Sequence, residues 1–453
     1  MIKQIFVNRV NELSTLKQAY NSDRAEFIII YGRRRVGKTE LIKKSIENRD
    51  ALYFFVEEAL EADNLSSFKS KVAQLLGNPL IEKAQLSWEE VFDEVMKKED
   101  AIIIFDEFPN LIKENKAIMS KFQKIWDEKL CNTKIKLMMC GSSISMMENY
   151  LLGYKSPLYG RRTGQMFLQP LKFFHIKKFI DLPFEDIIRI YGITDGIPYY
   201  ILEACYRLKN GEKLSEIFQP GKVLFEEAEV LIKYELRDPT RYYRILKAIS
   251  LGYTKFGEIT KYTEFNPSLI SQYLDNLINL HIIEESFPVG EKKEKVRNRR
   301  YNFSDNYFSF YFRFVYPNKS ELFEKGSISN LDYKYNLYLG FIFEKACREF
   351  LCERSGLLPF HANKMGRWWN KETEIDLVAL DDETKQVLFT ECKWKSLSEK
   401  LAIGVLNGLK EKSGCFEWNA GKRKEYFCVI AKKVENKGNI RKEGYMVFDL
   451  DDF

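Results

Sequence analysis

Residues 32–39, Gly-Arg-Arg-Arg-Val-Gly-Lys-Thr, constrain this chain more tightly than any other stretch. Two glycines bracket four residues and are followed by a lysine and a hydroxyl, the spacing of a loop built to wrap phosphate. Such a loop needs a strand before it and a helix after it. Phe27-Ile-Ile-Ile-Tyr31 is a β-branched run that reads as a buried strand, and Glu40-Leu-Ile-Lys-Lys-Ser-Ile continues with helical spacing. The backbone amides from Gly32 through Arg33, Arg34, Arg35, Val36 and Gly37 are expected to face phosphate oxygens, with the helix N-terminus adding partial positive charge. Lys38 reaches the outer phosphates, Thr39 offers its hydroxyl to Mg²⁺, and Glu40 completes the set at the first helical turn.

Two further strand ends fit the same chemistry. Ala101-Ile-Ile-Ile-Phe-Asp-Glu107 is a buried strand that ends in two carboxylates. Asp106 suits Mg²⁺, and Glu107 suits the polarising of an attacking water. Residues 135–141, IKLMMCG, form a third strand that ends at Ser142-Ser143. Ligands gather at the carboxyl ends of strands in an α/β sheet, so a hydroxyl there either senses the outer phosphate or caps a helix. Downstream, SPLYGRRTG places Arg161 and Arg162 in a loop, where either can supply transition-state charge.

Taken in order, FVNRVNEL (6–13), the glycine loop, IIIFDE, CGSS, SPLYGRRTG and TDGIPYYI (194–201) resemble the prokaryotic archaeal-type ATPases, a branch of the AAA+/STAND P-loop NTPases. The resemblance covers roughly residues 1–230. It implies that Phe6, Asn8 and Arg9 lie near adenine, that Gly196 and Pro198 belong to a helical lid over the nucleotide, and that the nucleotide is ATP.

The middle of the chain reads as a helix-turn-helix. RYYRILKAIS (241–250) is amphipathic, TKFGEITKYT forms a second short helix, and Asn266-Pro267 starts a longer one carrying Leu269, Leu274, Leu277 and Leu280. Two β-like runs then flank EKKEKVRNRR (291–300), which has the look of a basic wing able to lie along a phosphate backbone. The recognition helix, SLISQYLDNL, carries Asp275 and no Lys or Arg, so it offers little for reading bases. A DNA-contacting module and a purely structural one both remain open at this point.

Residues 304–340 are aromatic-rich and read as a connection. A helix with Glu344 follows, then EIDLVAL with Asp376, a turn at Asp381-Asp382-Glu383, and QVLFTECKW with Glu391 and Lys393 on one face. Asp376 and Glu391 are candidates for binding Mg²⁺, with Lys393 orienting water and Glu344 completing the site from the helix. The set Glu344, Asp376, Glu391-Cys392-Lys393 resembles the PD-(D/E)XK restriction-endonuclease-like superfamily over about residues 335–453, which implies metal-dependent cleavage of DNA.

The expected fold is therefore α/β: a three-layer P-loop core (1–170), a helical lid (171–238), a winged helix (239–315) and a nuclease-like α/β domain (335–453). The 453 residues suffice for these units. Net charge of +6 permits nucleic-acid contact without requiring it. Eight scattered cysteines without a CxxC pair, and three histidines, argue against a zinc site or a disulfide framework. The first residues contain no apolar signal segment, and no apolar run is long enough to span a membrane. A cytoplasmic ATPase using ATP and Mg²⁺, with DNA as partner and a homo-oligomeric assembly, is the leading expectation. A STAND-type nucleotide-gated switch with an inert nuclease-like domain is the alternative.

Overall fold

The structure, a computed structural model, describes residues 6–291 and 298–453. Its first sheet has strands β1 (Glu26–Tyr31), β2 (Ala51–Phe55), β3 (Ile102–Asp106), β4 (Lys136–Gly141) and β5 (Gly164–Phe167). They are parallel throughout, in the order β2-β3-β4-β1-β5. The period of two explains the layers. Ile28 and Ile30 of β1 point into one core with Ile102, Ile104, Met138 and Cys140, while Phe27, Ile29 and Tyr31 point into another with Ile103, Phe105, Leu137 and Met139. Helices α1 (Val10–Tyr20) and α2 (Lys38–Ser45) cover the first face, and α3 (Glu61–Leu76), α4 (Trp88–Val95) and α5 (Ile118–Ile125) the second. Strands buried on both faces read as unbroken apolar runs, which is why they stand out in the sequence.

The segment expected to form a lid contains helices α6 (Phe184–Thr194), α7 (Pro198–Lys209) and α8 (Val223–Glu235). Between α6 and α7, Gly196 is pressed so closely onto Leu171 that an added Cβ would lie 1.7 Å from the Leu171 carbonyl oxygen. This close approach fixes the turn that brings Pro198 to the nucleotide side.

The helix-turn-helix follows as α9 (Pro239–Ser250), α10 (Phe256–Thr263) and α11 (Pro267–Asn279). Asn266 caps α11 by accepting the Ser268 amide, with Pro267 as first helical residue. Its buried face, Ile270, Tyr273, Leu274 and Leu277, has the spacing of an amphipathic helix. Strands β6 (Ile283–Ser286) and β7 (Arg300–Phe303) pair antiparallel, as a wing does. Most of the basic stretch 291–300 lies outside the described residues. The described base of the wing is docked on the last domain: the Val289 amide donates to the Arg367 carbonyl at 2.9 Å, and Trp369 Nε1 donates to the Asn298 carbonyl at 3.0 Å.

The segment 304–340 is more than a connection, and the expectation is corrected here. It opens with α12 (Asn306–Phe310), continues helically through Val315, and enters α13 (Leu331–Glu353), a helix that starts well before Gly340. The physical reason is its ring content: Tyr307, Phe308, Phe310, Tyr311, Phe312 and Phe314 are all buried, and Tyr307 packs at a tilt against Tyr200 of the lid. The last sheet contains β8 (Lys364–Trp369), β9 (Glu374–Asp381), β10 (Gln386–Leu397), β11 (Lys424–Val434) and β12 (Met446–Asp449). Its order is β12-β11-β10-β9-β8, antiparallel from β8 to β10 and parallel from β10 to β12. Helix α13 covers one face, and α14 (Glu399–Ser413) covers the other. No helix among the described residues is long and apolar enough to cross a membrane.

Candidate nucleotide site

Because β4 lies between β1 and β3, the loops leaving all three strands meet at one sheet edge. There the loop after β1 turns at Gly32, Arg35 and Gly37, all at positive φ, and delivers Lys38 to the first turn of α2. Thr39 Oγ1 donates to Asp106 Oδ2 at 2.7 Å. Tyr53 Oη donates to the same oxygen at 2.6 Å, and burial together with that carboxylate pushes the phenol well above its ordinary range. Tyr53 therefore stays protonated as a fixed donor.

Glu107 sits at φ 59°, in the left-handed region that costs a glutamate energy. Its Oε2 accepts from the Ser142 amide at 3.2 Å and the Ser142 hydroxyl at 2.8 Å. The two serines after β4 divide their roles: Ser142 holds Glu107, and Ser143 caps the short helix that begins at Ile144.

A cavity of about 410 Å³ opens over this edge. Phe6, Arg9, Arg34, Arg35, Val36, Gly37, Lys38, Thr39, Glu40, Glu107, Ser142 and Pro198 all line it. Lys38 is 5% exposed, and its ammonium donates to the Gly32 carbonyl at 2.9 Å and the Arg33 carbonyl at 3.0 Å. A buried ammonium held by neutral carbonyls and facing a cavity fits a polyanion. Thr39 and Asp106 together supply hard oxygen donors that suit Mg²⁺.

Other candidates make contacts of their own. Arg33 turns away from the cavity and ion-pairs with Asp305. Asn8 Nδ2 meets His175 Nε2 at 2.8 Å, so it braces the segment that carries Arg9. Arg9 crosses the site to the Val36 and Gln169 carbonyls. Arg161 is paired with Asp127 through two 2.7 Å bonds, and Arg162 lies over Tyr159; neither lines the cavity of its own chain.

The acidic residues of the last domain do converge. Lys393 Nζ donates to Glu391 Oε2 at 2.5 Å and lies 3.6 Å from Asp376 Oδ2, which also accepts the Cys392 amide at 2.8 Å. Lys412 of α14 takes the other Glu391 oxygen at 2.5 Å. Burial works against the Glu391 charge, yet its two lysine partners hold the carboxyl below its ordinary range. Burial pushes Asp376 up to about 6, with Glu391 adding to the rise, and pushes Glu344 up to about 8, with Arg367 opposing. Lysines occupy the Glu391 oxygens, and no group of three or more His, Cys, Asp or Glu among the described residues is placed to hold a metal ion.

Sequence reading does not single out Tyr53 or Lys412. A tyrosine in a strand and one lysine among several on α14 carry no local pattern.

Residues 6–204 match the family described as an ATPase domain predominantly from Archaea. Residues 238–285 match the helix-turn-helix of bacterial regulatory proteins of the arsR family, and residues 311–405 match archaeal and bacterial proteins of unknown function. An uncharacterized protein of Methanocaldococcus jannaschii is 44% identical over 455 residues, covering 99% of this chain and 100% of that protein. An uncharacterized ATP-binding protein of the same organism is 58% identical over 45 residues, 10% of this chain and 76% of its own length. A Walker-type ATPase of Pyrococcus abyssi superposes with a TM-score of 0.53 at 22% identity, covering 69% of this chain and 97% of that one, and so shares its fold.

Proposed function

Residues 6–204 form a domain of the archaeal-type ATPase family, and from that premise we propose that the chain binds and hydrolyses ATP and uses the cycle to reposition a DNA-directed winged helix and the domain behind it. One observation carries the reading: Lys38, Thr39, Asp106, Glu107 and Ser142 meet at one sheet edge over a cavity. Lys38 would exchange its carbonyl partners for phosphate oxygens. Thr39 and Asp106 would hold Mg²⁺, which would supply positive charge beside those oxygens. Glu107, released from Ser142, orients a water and accepts its proton. Phe6 and Arg9 line the same cavity and are placed to flank the base. DNA is the proposed partner of the helix-turn-helix, whose α11 exposes Ser271, Gln272, Asp275 and Asn279. Phosphate release from Mg-ATP tests this. The intact protein turns over, and Glu107→Gln slows turnover by roughly 10²–10⁴-fold while still binding ATP. Unchanged turnover in Glu107→Gln contradicts the assignment.

A second reading concerns the last domain alone. Convergence of Glu344, Asp376, Glu391 and Lys393 supports a PD-(D/E)XK-like site that cuts DNA. The lysine closure of Glu391 favours instead a STAND-type switch in which this domain makes contacts without cutting. Incubation of supercoiled DNA with Mg²⁺ or Mn²⁺, with and without ATP, separates the two. Nicking that disappears in Asp376→Ala and Lys393→Ala supports cleavage, and intact DNA under every condition supports the contact role.

A further inference from the structure

Arg33 stands inside the phosphate loop, yet its side chain serves a different part of the molecule. Its guanidinium ion-pairs with Asp305, which is 4% exposed and caps α12 by accepting the Phe308 amide. Three rings surround it: Tyr200 of the lid at 5.4 Å, Tyr307 at 5.5 Å and Phe308 at 4.8 Å. Its Nη2 also donates to Tyr200 Oη at 3.3 Å. A cation this enclosed is held by charge and ring faces together, and it resists displacement.

The backbone of the same residue is tied to the site. Lys38 Nζ donates to the Arg33 carbonyl. Entry of a triphosphate that draws Lys38 away would therefore release the very peptide whose side chain grips α12. Beyond Asp305 the path continues without a gap. Asn306 Oδ1 accepts from Lys345 Nζ at 3.1 Å, and that ammonium also reaches the Ser304 carbonyl at 2.7 Å and Asp195 Oδ1 at 3.2 Å. Asp195 belongs to the turn that holds Gly196 and Pro198. Lys345 lies on α13 beside Glu344, which faces Arg367 of the acid cluster at 3.5 Å.

We propose that Arg33 is a positioning residue that carries the state of the phosphate loop through Asp305 to α12, and through Lys345 to α13 and the acid cluster. The inference rests on reading the loop as a nucleotide site, and its test separates the two. The intact chain is titrated with Mg-ATP by calorimetry, and amide hydrogen exchange across α13 is then measured with and without Mg-ATP. In the intact protein, exchange within α13 changes by about fivefold or more on binding, the low end of ordinary coupling between sites. Asp305→Asn keeps the capping oxygen and removes the charge. It still binds Mg-ATP but loses the α13 response, whereas Asp305→Glu, which keeps the charge, retains it. Lys345→Met cuts the path one link further on and gives the same uncoupled result. An Asp305→Asn protein that responds like the intact one overturns the proposal, as does an intact protein that binds Mg-ATP and leaves α13 unchanged. Failure of the intact protein to bind Mg-ATP overturns the nucleotide reading itself, and the proposal with it.

Discussion

At the scale of single residues, two positions have consequences that stability measurements can read. Gly196 has no room for a side chain against the Leu171 carbonyl. Gly196→Ala is expected to cost about 3 kcal/mol, at the upper end of ordinary overpacking, because backbone must move on both sides. Urea unfolding measures it, and a loss near zero would show that the turn yields freely. Glu344 makes a prediction about pH. Burial raises its carboxyl from 4.5 to about 8, so the folded chain keeps a proton that the unfolded chain gives up. The stability gained from that proton is complete below about 4.5 and lost as pH rises to about 8. Denaturation between pH 5 and pH 8 is expected to show this decline in the intact protein and a flatter profile in Glu344→Gln. Equal slopes would contradict it.

At the scale of elements, one lid carboxylate gathers four donors at the sheet edge. Glu235, at the end of α8, accepts from the Ile144 and Ser145 amides at 3.1 and 3.3 Å and from the Ser143 and Ser145 hydroxyls at 3.0 and 2.8 Å. These donors directly follow Ser142, the holder of Glu107. Removal of a charged acceptor leaves several of them unsatisfied, so Glu235→Ala is expected to lose about 2–3 kcal/mol in equilibrium unfolding. The elements of the nucleotide site are legible in the sequence because their signals are local. A glycine loop, a strand with Asp106 and Glu107 at its end, and a strand ending at Ser142 each declare themselves within a few residues. The clasp by Glu235 is not legible, because one glutamate on an amphipathic helix looks like its exposed neighbours Glu226 and Lys233. Arg33 misleads for a related reason. Its place in the loop suggests phosphate, while its partner Asp305 lies in a segment that reads as a linker until its rings are seen to be buried.

At the scale of the whole molecule, one apolar core runs from Val7 under the first sheet through the lid and winged helix to Phe448 of the last sheet. The wing adds Arg300, which lies 4.6 Å over Trp369 and 3.2 Å from Glu374. Units joined by continuous burial unfold together, so calorimetry is expected to show one transition covering lid, winged helix and last domain. Two resolved peaks for those parts would contradict the continuity. The sequence divides the chain into these units by composition and pattern, but their docking depends on contacts between distant segments, such as Val289 with Arg367, that leave no local trace. The proposed activity depends on the cavity beside Lys38 accepting a nucleoside triphosphate. Calorimetric titration with Mg-ATP tests it most directly: saturable binding is predicted for the intact protein, weakened about a hundredfold or more in Lys38→Ala by loss of a buried charge partner. A folded intact protein that takes up no Mg-ATP, or a Lys38→Ala variant that binds it equally well, would contradict the account.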